Sequence, residues 1–201
     1  MLTLVIAALA AGAGAAGASA HHARSARPPG DWCGGPLWRL ETLSDPESAR
    51  VKLARLPTSI SDIAALKSPL LAGLKRSTNY QLNSWRLTVV IDRYRIASDG
   101  EIVLVLYDIP SGKYMNAYLP NPQCLPTTTR DRTGIIAARK ELTAHCPAAS
   151  ASWQLLGASV DLTGVGFFDP VRITRGALPN GAELRPLTNL KIISGCGVGT
   201  S

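Results

Sequence analysis

Residues 160–186 read VDLTGVGFFDPVRITRGALPNGAELRP. Two apolar, strand-like runs flank a loop rich in Arg, Gly and Pro, the pattern expected of the last hairpin of a small β-barrel. Gly164 and Gly166 stand inside the first run, where residues without a side chain mark a strong bend or a bulge of the kind a closing sheet needs. Pro186 interrupts the second run and fits an edge position or a kink. The hairpin takes residues 158–168 as one strand and 182–193 as the other.

Working outward toward the N-terminus, residues 133–145 (TGIIAARKELTAH) set Ile135, Ile136, Ala138, Arg139 and Leu142 at helical spacing with Pro147 beyond them. That predicts one amphipathic helix. Residues 85–96 (WRLTVVIDRYRI), a turn at Ser98-Asp99-Gly100 and residues 101–109 (EIVLVLYDI) predict a hairpin of β-branched strands. Ser111-Gly112 marks the next turn, and residues 113–119 (KYMNAYL) alternate Met115, Ala117 and Leu119 against Tyr114, Asn116 and Tyr118. Three meandering strands, one helix and two further strands is the element order of the OB-fold. The expected fold class is therefore mainly β, a small five-stranded OB-like barrel with an N-terminal strap and a short helix. The competitor is another small β-barrel or β-sandwich carrying an inserted helix.

Residues 1–20 carry no charge, run apolar through LTLVIAALA, then through Ala and Gly, and close on Ala18-Ser19-Ala20. This is the small-x-small pattern that a signal peptidase cuts. A membrane anchor is the alternative, and the Ala- and Gly-rich second half is poorly apolar for one. Residues 21–35, with Arg24, Arg27, Pro28 and Pro29, are expected as a flexible leader. Residues 36–83 follow as an extended strap with a short helix near 58–66, where Ser59 and Asp62 make an N-cap pattern. Residues 84–194 then form the barrel and 195–201 a tail. The expected location is secreted or in the cell envelope, with no membrane span once the signal is removed.

Lys and Arg number 21 against 14 Asp and Glu, a formal net charge of +7. A basic exported domain suits anionic partners such as nucleic acid, acidic glycans or lipid headgroups. The plainer alternative is a basic surface that only maintains solubility. Four cysteines in an exported chain favour two disulfides over a metal site, and no CxxC pair is present. Of the three possible pairings, the preferred one joins Cys124 to Cys146 across the helix and Cys33 to Cys196 across the two ends. No metal and no cofactor is expected.

TGVGFFD at residues 163–169 and PNGAEL at 179–184 resemble a family of exported bacterial proteins of uncharacterised function. The ETLSDP strap, the RLTVVIDRYRI and EIVLVLYDI strands and LPNPQC resemble it too, so the likeness covers residues 38–190. In that family the TGVGFFD strand leads to a loop containing His-Gly-Gln, an APNG-type turn and a Glu-Leu-His-Pro strand. The resemblance implies a fold and no proven activity. This chain departs from it twice, with Arg172 in place of the loop His and Arg185 in place of the strand His. If those two His positions meet to bind a metal or share a proton, Arg does neither near neutral pH, and an anion site is left. If both face solvent, the exchange means little.

No motif specifies a reaction. His145 is the one His inside the expected folded part, beside Cys146 at a helix C-terminus where a cation suits the helix dipole. TGVG lacks the Lys and the helix of a phosphate loop. Asp92, Asp99, Glu101, Asp108, Asp161, Asp169 and Glu183 fall in or near strands. One OB-fold nuclease class, resembling staphylococcal nuclease, pairs carboxylates holding Ca²⁺ with arginines holding phosphate. None of its motifs is present.

OB-folds present ligands to strands two and three and to the loops joining strands one to two and four to five. The expected function is accordingly an exported, non-catalytic binding module for an anionic ligand, a nucleic acid or an acidic glycan. Arg172, Arg175 and Arg185 would contact the ligand, with Tyr114 and Tyr118 as stacking platforms. Those tyrosines would instead be covered if the strap lies over them. The alternatives are a Ca²⁺-dependent phosphodiesterase on the same barrel and a structural envelope protein with a protein partner.

Overall fold

A computed structural model of the protein describes residues 33, 35–70, 72–170 and 174–196. The expected signal peptide, most of the leader and Arg172 lie outside the described residues. Six strands make one sheet: β1 (Lys52–Pro57), β2 (Asn83–Ile96), β3 (Ile102–Asp108), β4 (Lys113–Leu119), β5 (Gln154–Phe168) and β6 (Ala182–Ser194). Helices α1 (Trp38–Glu41) and α2 (Ile60–Ala64) precede β2, and α3 (Arg132–His145) joins β4 to β5.

The strands are ordered β1-β2-β3-β4-β6-β5, and β2 also pairs with β5. Its 14 residues let β2 serve two neighbours, β5 along Ser84–Tyr94 and β3 along Val90–Ile96. Between Ile91 and Arg93 the register shifts against both, which bends the strand as a bulge does. β4 and β6 meet in parallel at the pair Ala117 and Leu184. Alternate residues of β2 to β6 point inward. Leu87, Val89, Ile91, Leu104, Leu106, Met115, Ala117, Val160, Leu162, Leu184 and Leu187 make the core, which Ala138 and Leu142 of α3 join. Burial of each larger aliphatic side chain contributes about 1.5–3 kcal/mol.

The glycines of the TGVG run stand at register shifts between β5 and β6. A Cβ on Gly164 would come within 2.8 Å of the Leu184 Cβ, and one on Gly166 would overlap the Tyr80 carbonyl. Close approach therefore requires glycine at both. Tyr80, so tucked in, donates its hydroxyl to the Glu183 carbonyl at 2.8 Å.

Three expectations need correction or addition. Residues 52–57, expected as part of an extended strap, form the sixth strand, paired in parallel along β2. Nearly all of β1 is exposed, so no period-two apolar face marks it in the sequence. The sheet therefore has six strands where five were expected. The disulfides join Cys33 to Cys124 and Cys146 to Cys196, replacing the expected Cys124–Cys146 and Cys33–Cys196 pairs. The helix is the reason: α3 has 14 residues, and at about 1.5 Å per residue it spans roughly 20 Å, well beyond the ~7 Å limit between bridged Cα atoms. Arg132 at its start reaches the Pro122 carbonyl, which places the Cys124 turn at that end, while Cys146 caps the other. Two disulfides fit an extracellular protein. Among the described residues no helix is long and apolar enough to cross a membrane.

Polar side chains tie the strap to itself and to the segment before α3. Arg76, with its side chain 0% exposed, pairs with Asp45 at 3.0 Å. It also donates to the carbonyls of Leu40 at 2.5 Å and Gln81 at 3.3 Å. Arg130 Nη1 donates to the carbonyls of Ser48, Ala49 and Val51 at 2.6, 2.9 and 2.5 Å.

Candidate functional site

The pairing of Ala117 with Leu184 turns both residues inward, so their neighbours Asn116, Tyr118, Glu183 and Arg185 share the opposite face. Along β4 that face grades from open to closed. Tyr114 is 43% exposed, whereas Asn116 and Tyr118 are buried.

At the closed end Arg185 is largely covered and pairs with Glu41 of α1. Its Cζ lies 4.3 Å from the Tyr118 ring centroid. Its Nη1 is 3.0 Å from Glu41 and 3.8 Å from Glu183, and its Nε donates to Glu101 at 3.2 Å while Nη2 makes a second bond to the same carboxylate. Three carboxylates thus surround one guanidinium. Burial pushes Glu101 up to about 7, against the opposing charge of Arg185 and with Glu41 and Asp99 adding to the rise. Burial likewise raises Glu183 well above the usual carboxylate range, and it raises Glu41 and the Tyr118 phenol. Burial works against the charge of Arg185, but Glu101, Glu41 and Glu183 outweigh it and hold the guanidinium above its ordinary value. Arg185, its side chain 12% exposed, and Tyr118, 5% exposed, therefore offer a ligand little surface. Where an anion contact was expected, Arg185 is engaged by Glu101, Glu183 and Glu41, the last brought onto it by α1.

The open end is a cleft of about 1020 Å³ that holds Tyr114 and Arg175. Lys67, Arg93, Lys113 and Arg175 line it against one carboxylate, Asp92. That carboxylate is already engaged by Arg93 Nε at 3.1 Å. Ala177, Leu178 and Pro179 with Val105 supply apolar wall. Each part has a local cause. The β2 register shift presents Asp92 and Arg93, and the β3–β4 hairpin sets the Tyr107 and Tyr114 rings 4.8 Å apart. The segment 174–181 is fixed by Asn180, whose Nδ2 donates to the carbonyls of Ile63 at 2.9 Å and Leu66 at 3.0 Å at the end of α2. Gly176, at φ +83°, lies so close over Asn116 that a Cβ would come within 2.7 Å of its Oδ1. Asn116 beneath it has both side-chain polar atoms buried without a hydrogen-bond partner.

Of the expected site residues, Arg175 and Tyr114 come together here, Arg185 and Tyr118 pair elsewhere, and Arg172 lies outside the described residues. Of the acidic residues considered for Ca²⁺, Asp161 pairs with Arg86, Asp92 with Arg93, and Asp108 accepts from Ser111, while Glu101 and Glu183 both engage Arg185. Among the described residues no three His, Cys, Asp or Glu side chains stand where they could hold a metal ion. Sequence reasoning misses Lys67, Arg93 and Lys113. The Arg93 position is invisible to alternation because the register shift resets which face it occupies.

The chain matches no protein-family model and no curated protein.

Proposed function

We propose that this protein is an exported, non-catalytic binding module that takes an anionic ligand in the cleft beside Tyr114, on an OB-like barrel formed by β2 to β6. Support for the barrel comes from the strand pairings, which run β2-β3-β4-β6-β5 and return to β2, with α3 between β4 and β5 in the chain. The uncharged N-terminal run, the two disulfides and the likeness of TGVGFFD and PNGAEL to an exported family support export.

The observation that carries the binding reading is the cleft lining, four cations against one carboxylate already paired. Val105, Lys113, Tyr114 and residues 175–180 of this lining come from the second and third barrel strands and the segment between the fourth and fifth, where OB-folds receive ligands. β2 and the chain from the end of α2 complete it. An exposed tyrosine beside cations offers stacking and charge to the same ligand.

The test is a titration of the purified protein into a labelled single-stranded oligonucleotide and a labelled acidic glycan at low and moderate salt. Binding is expected to weaken with salt. Changing both Arg175 and Lys113 to Ala should lower affinity for the bound probe and reduce the slope of log affinity against log salt by about 2. No salt-sensitive binding of either probe at low salt overturns the reading.

A further inference from the structure

Between α2 and β2, residues 66–75 read LKSPLLAGLK. Both ends of this segment are held. At one end Asn180 takes the Leu66 carbonyl at 3.0 Å. At the other, Gly73 packs against Pro170 and Leu37, and Arg76 is locked to Asp45. Between these anchors Leu70 is 104% exposed and Leu74 73% exposed. Lys67 and Lys75 beside them are exposed as well. In the β3–β4 turn, Ile109 is 67% exposed, next to the register pair Asp108 and Lys113, of which Lys113 lines the cleft.

Single exposed leucines are ordinary on a protein surface. Here two lie in one loop held at both ends, each with an exposed lysine close in sequence, and Lys67 of that loop lines the basic cleft. Lysine is depleted in protein–protein interfaces. Apolar tips flanked by lysines are instead the composition of elements that lie in the headgroup region of anionic membranes. We propose that this loop docks the protein on an anionic bilayer surface, with Leu70 and Leu74 entering the acyl boundary and Lys67 and Lys75 meeting headgroup phosphates. The docking rests on the loop and does not depend on the cleft binding a soluble anion; because Lys67 belongs to both, docking would bring the cleft mouth to the membrane surface.

The experiment is co-sedimentation of the purified protein with vesicles of phosphatidylglycerol and phosphatidylcholine, and with phosphatidylcholine vesicles alone. Binding is expected on the anionic vesicles and little on the zwitterionic ones. Leu70→Ser with Leu74→Ser should lower the partition coefficient about tenfold or more, with circular dichroism and thermal unfolding unchanged. A Leu70→Trp reporter should shift its emission to the blue on anionic vesicles and be quenched by brominated acyl chains. The proposal is overturned if the protein stays in the supernatant with anionic vesicles or binds zwitterionic ones equally. It is overturned too if the serine pair leaves binding unchanged or the reporter does not shift. A wild-type dimer in sedimentation velocity that the serine pair dissociates would assign the leucines to a second copy and also overturn it. The serine pair should leave the oligonucleotide and glycan titrations unaltered, so failure here and failure of the cleft reading are separable.

Discussion

Asp45→Ala should destabilise the folded protein by about 3–5 kcal/mol, the usual cost of leaving a buried charge without its partner. For a chain of this size that corresponds to a fall in Tm of roughly 10 °C. Arg76 has nowhere to take its charge, since its side chain is 0% exposed and Asp45 is its ion-pair partner. The carbonyls of Leu40 and Gln81 would remain as acceptors, but they carry no charge. The Arg76→Met, Asp45→Leu double variant removes both charges at once and should recover most of the loss, since buried pairs are often replaceable by apolar residues of similar volume. Urea and thermal denaturation of the three proteins measure this. A loss below about 1 kcal/mol for Asp45→Ala, the scale of an exposed pair, would mean that water reaches Arg76 in the folded state.

The second large effect is a stability that rises as the solution is made mildly acid. Glu101 has an ordinary value of 4.5 and stands at about 7 in the folded protein. Between those values the folded chain keeps a proton that the unfolded chain releases, so folding is favoured by lowering pH. The contribution is fully present below 4.5 and is lost as pH rises through about 7. Its size for Glu101 is on the order of 3 kcal/mol. Glu41 and Glu183 are raised as well and act in the same direction. Most proteins lose stability on acidification because their paired carboxylates have depressed values. Tm measured from pH 8 to pH 4.5 should therefore climb, and Glu101→Gln, which mimics the protonated carboxyl, should flatten the climb and stand above the wild type at pH 8. A wild-type Tm that falls steadily across this window would contradict the buried cluster.

What the sequence discloses about the fold follows from periodicity. KYMNAYL alternates cleanly because one face is core, and the structure has β4 at those seven residues. The 133–145 helix is found one residue longer, and Ser59 accepts from the Asp62 amide as its spacing suggests. The features that escaped are those set by contacts distant in sequence. Lys52–Pro57 becomes a strand because the edge of β2 is free to pair, and the alternation of its own side chains does not announce it. Arg185 looks like a loop-flanking surface cation until Glu41, 144 positions earlier in the chain (185 less 41), is laid over it by α1. Arg175 and Tyr114 were legible as polar residues on ligand-facing elements. Lys67, Arg93 and Lys113 complete the cleft only after α2, the β2 bend and the β3–β4 hairpin converge.

The two disulfides close consecutive stretches of chain, with sequence separations of 91 and 50 residues. The pairing expected from the sequence would have nested one loop inside the other; the actual one is serial. The Cys33–Cys124 bridge needs nothing synthesised after residue 124, and Cys146 and Cys196 are then the remaining partners. Joining each cysteine to the next as the chain emerges yields the native bonds, so an oxidant acting in order of appearance suffices, with no reshuffling step required.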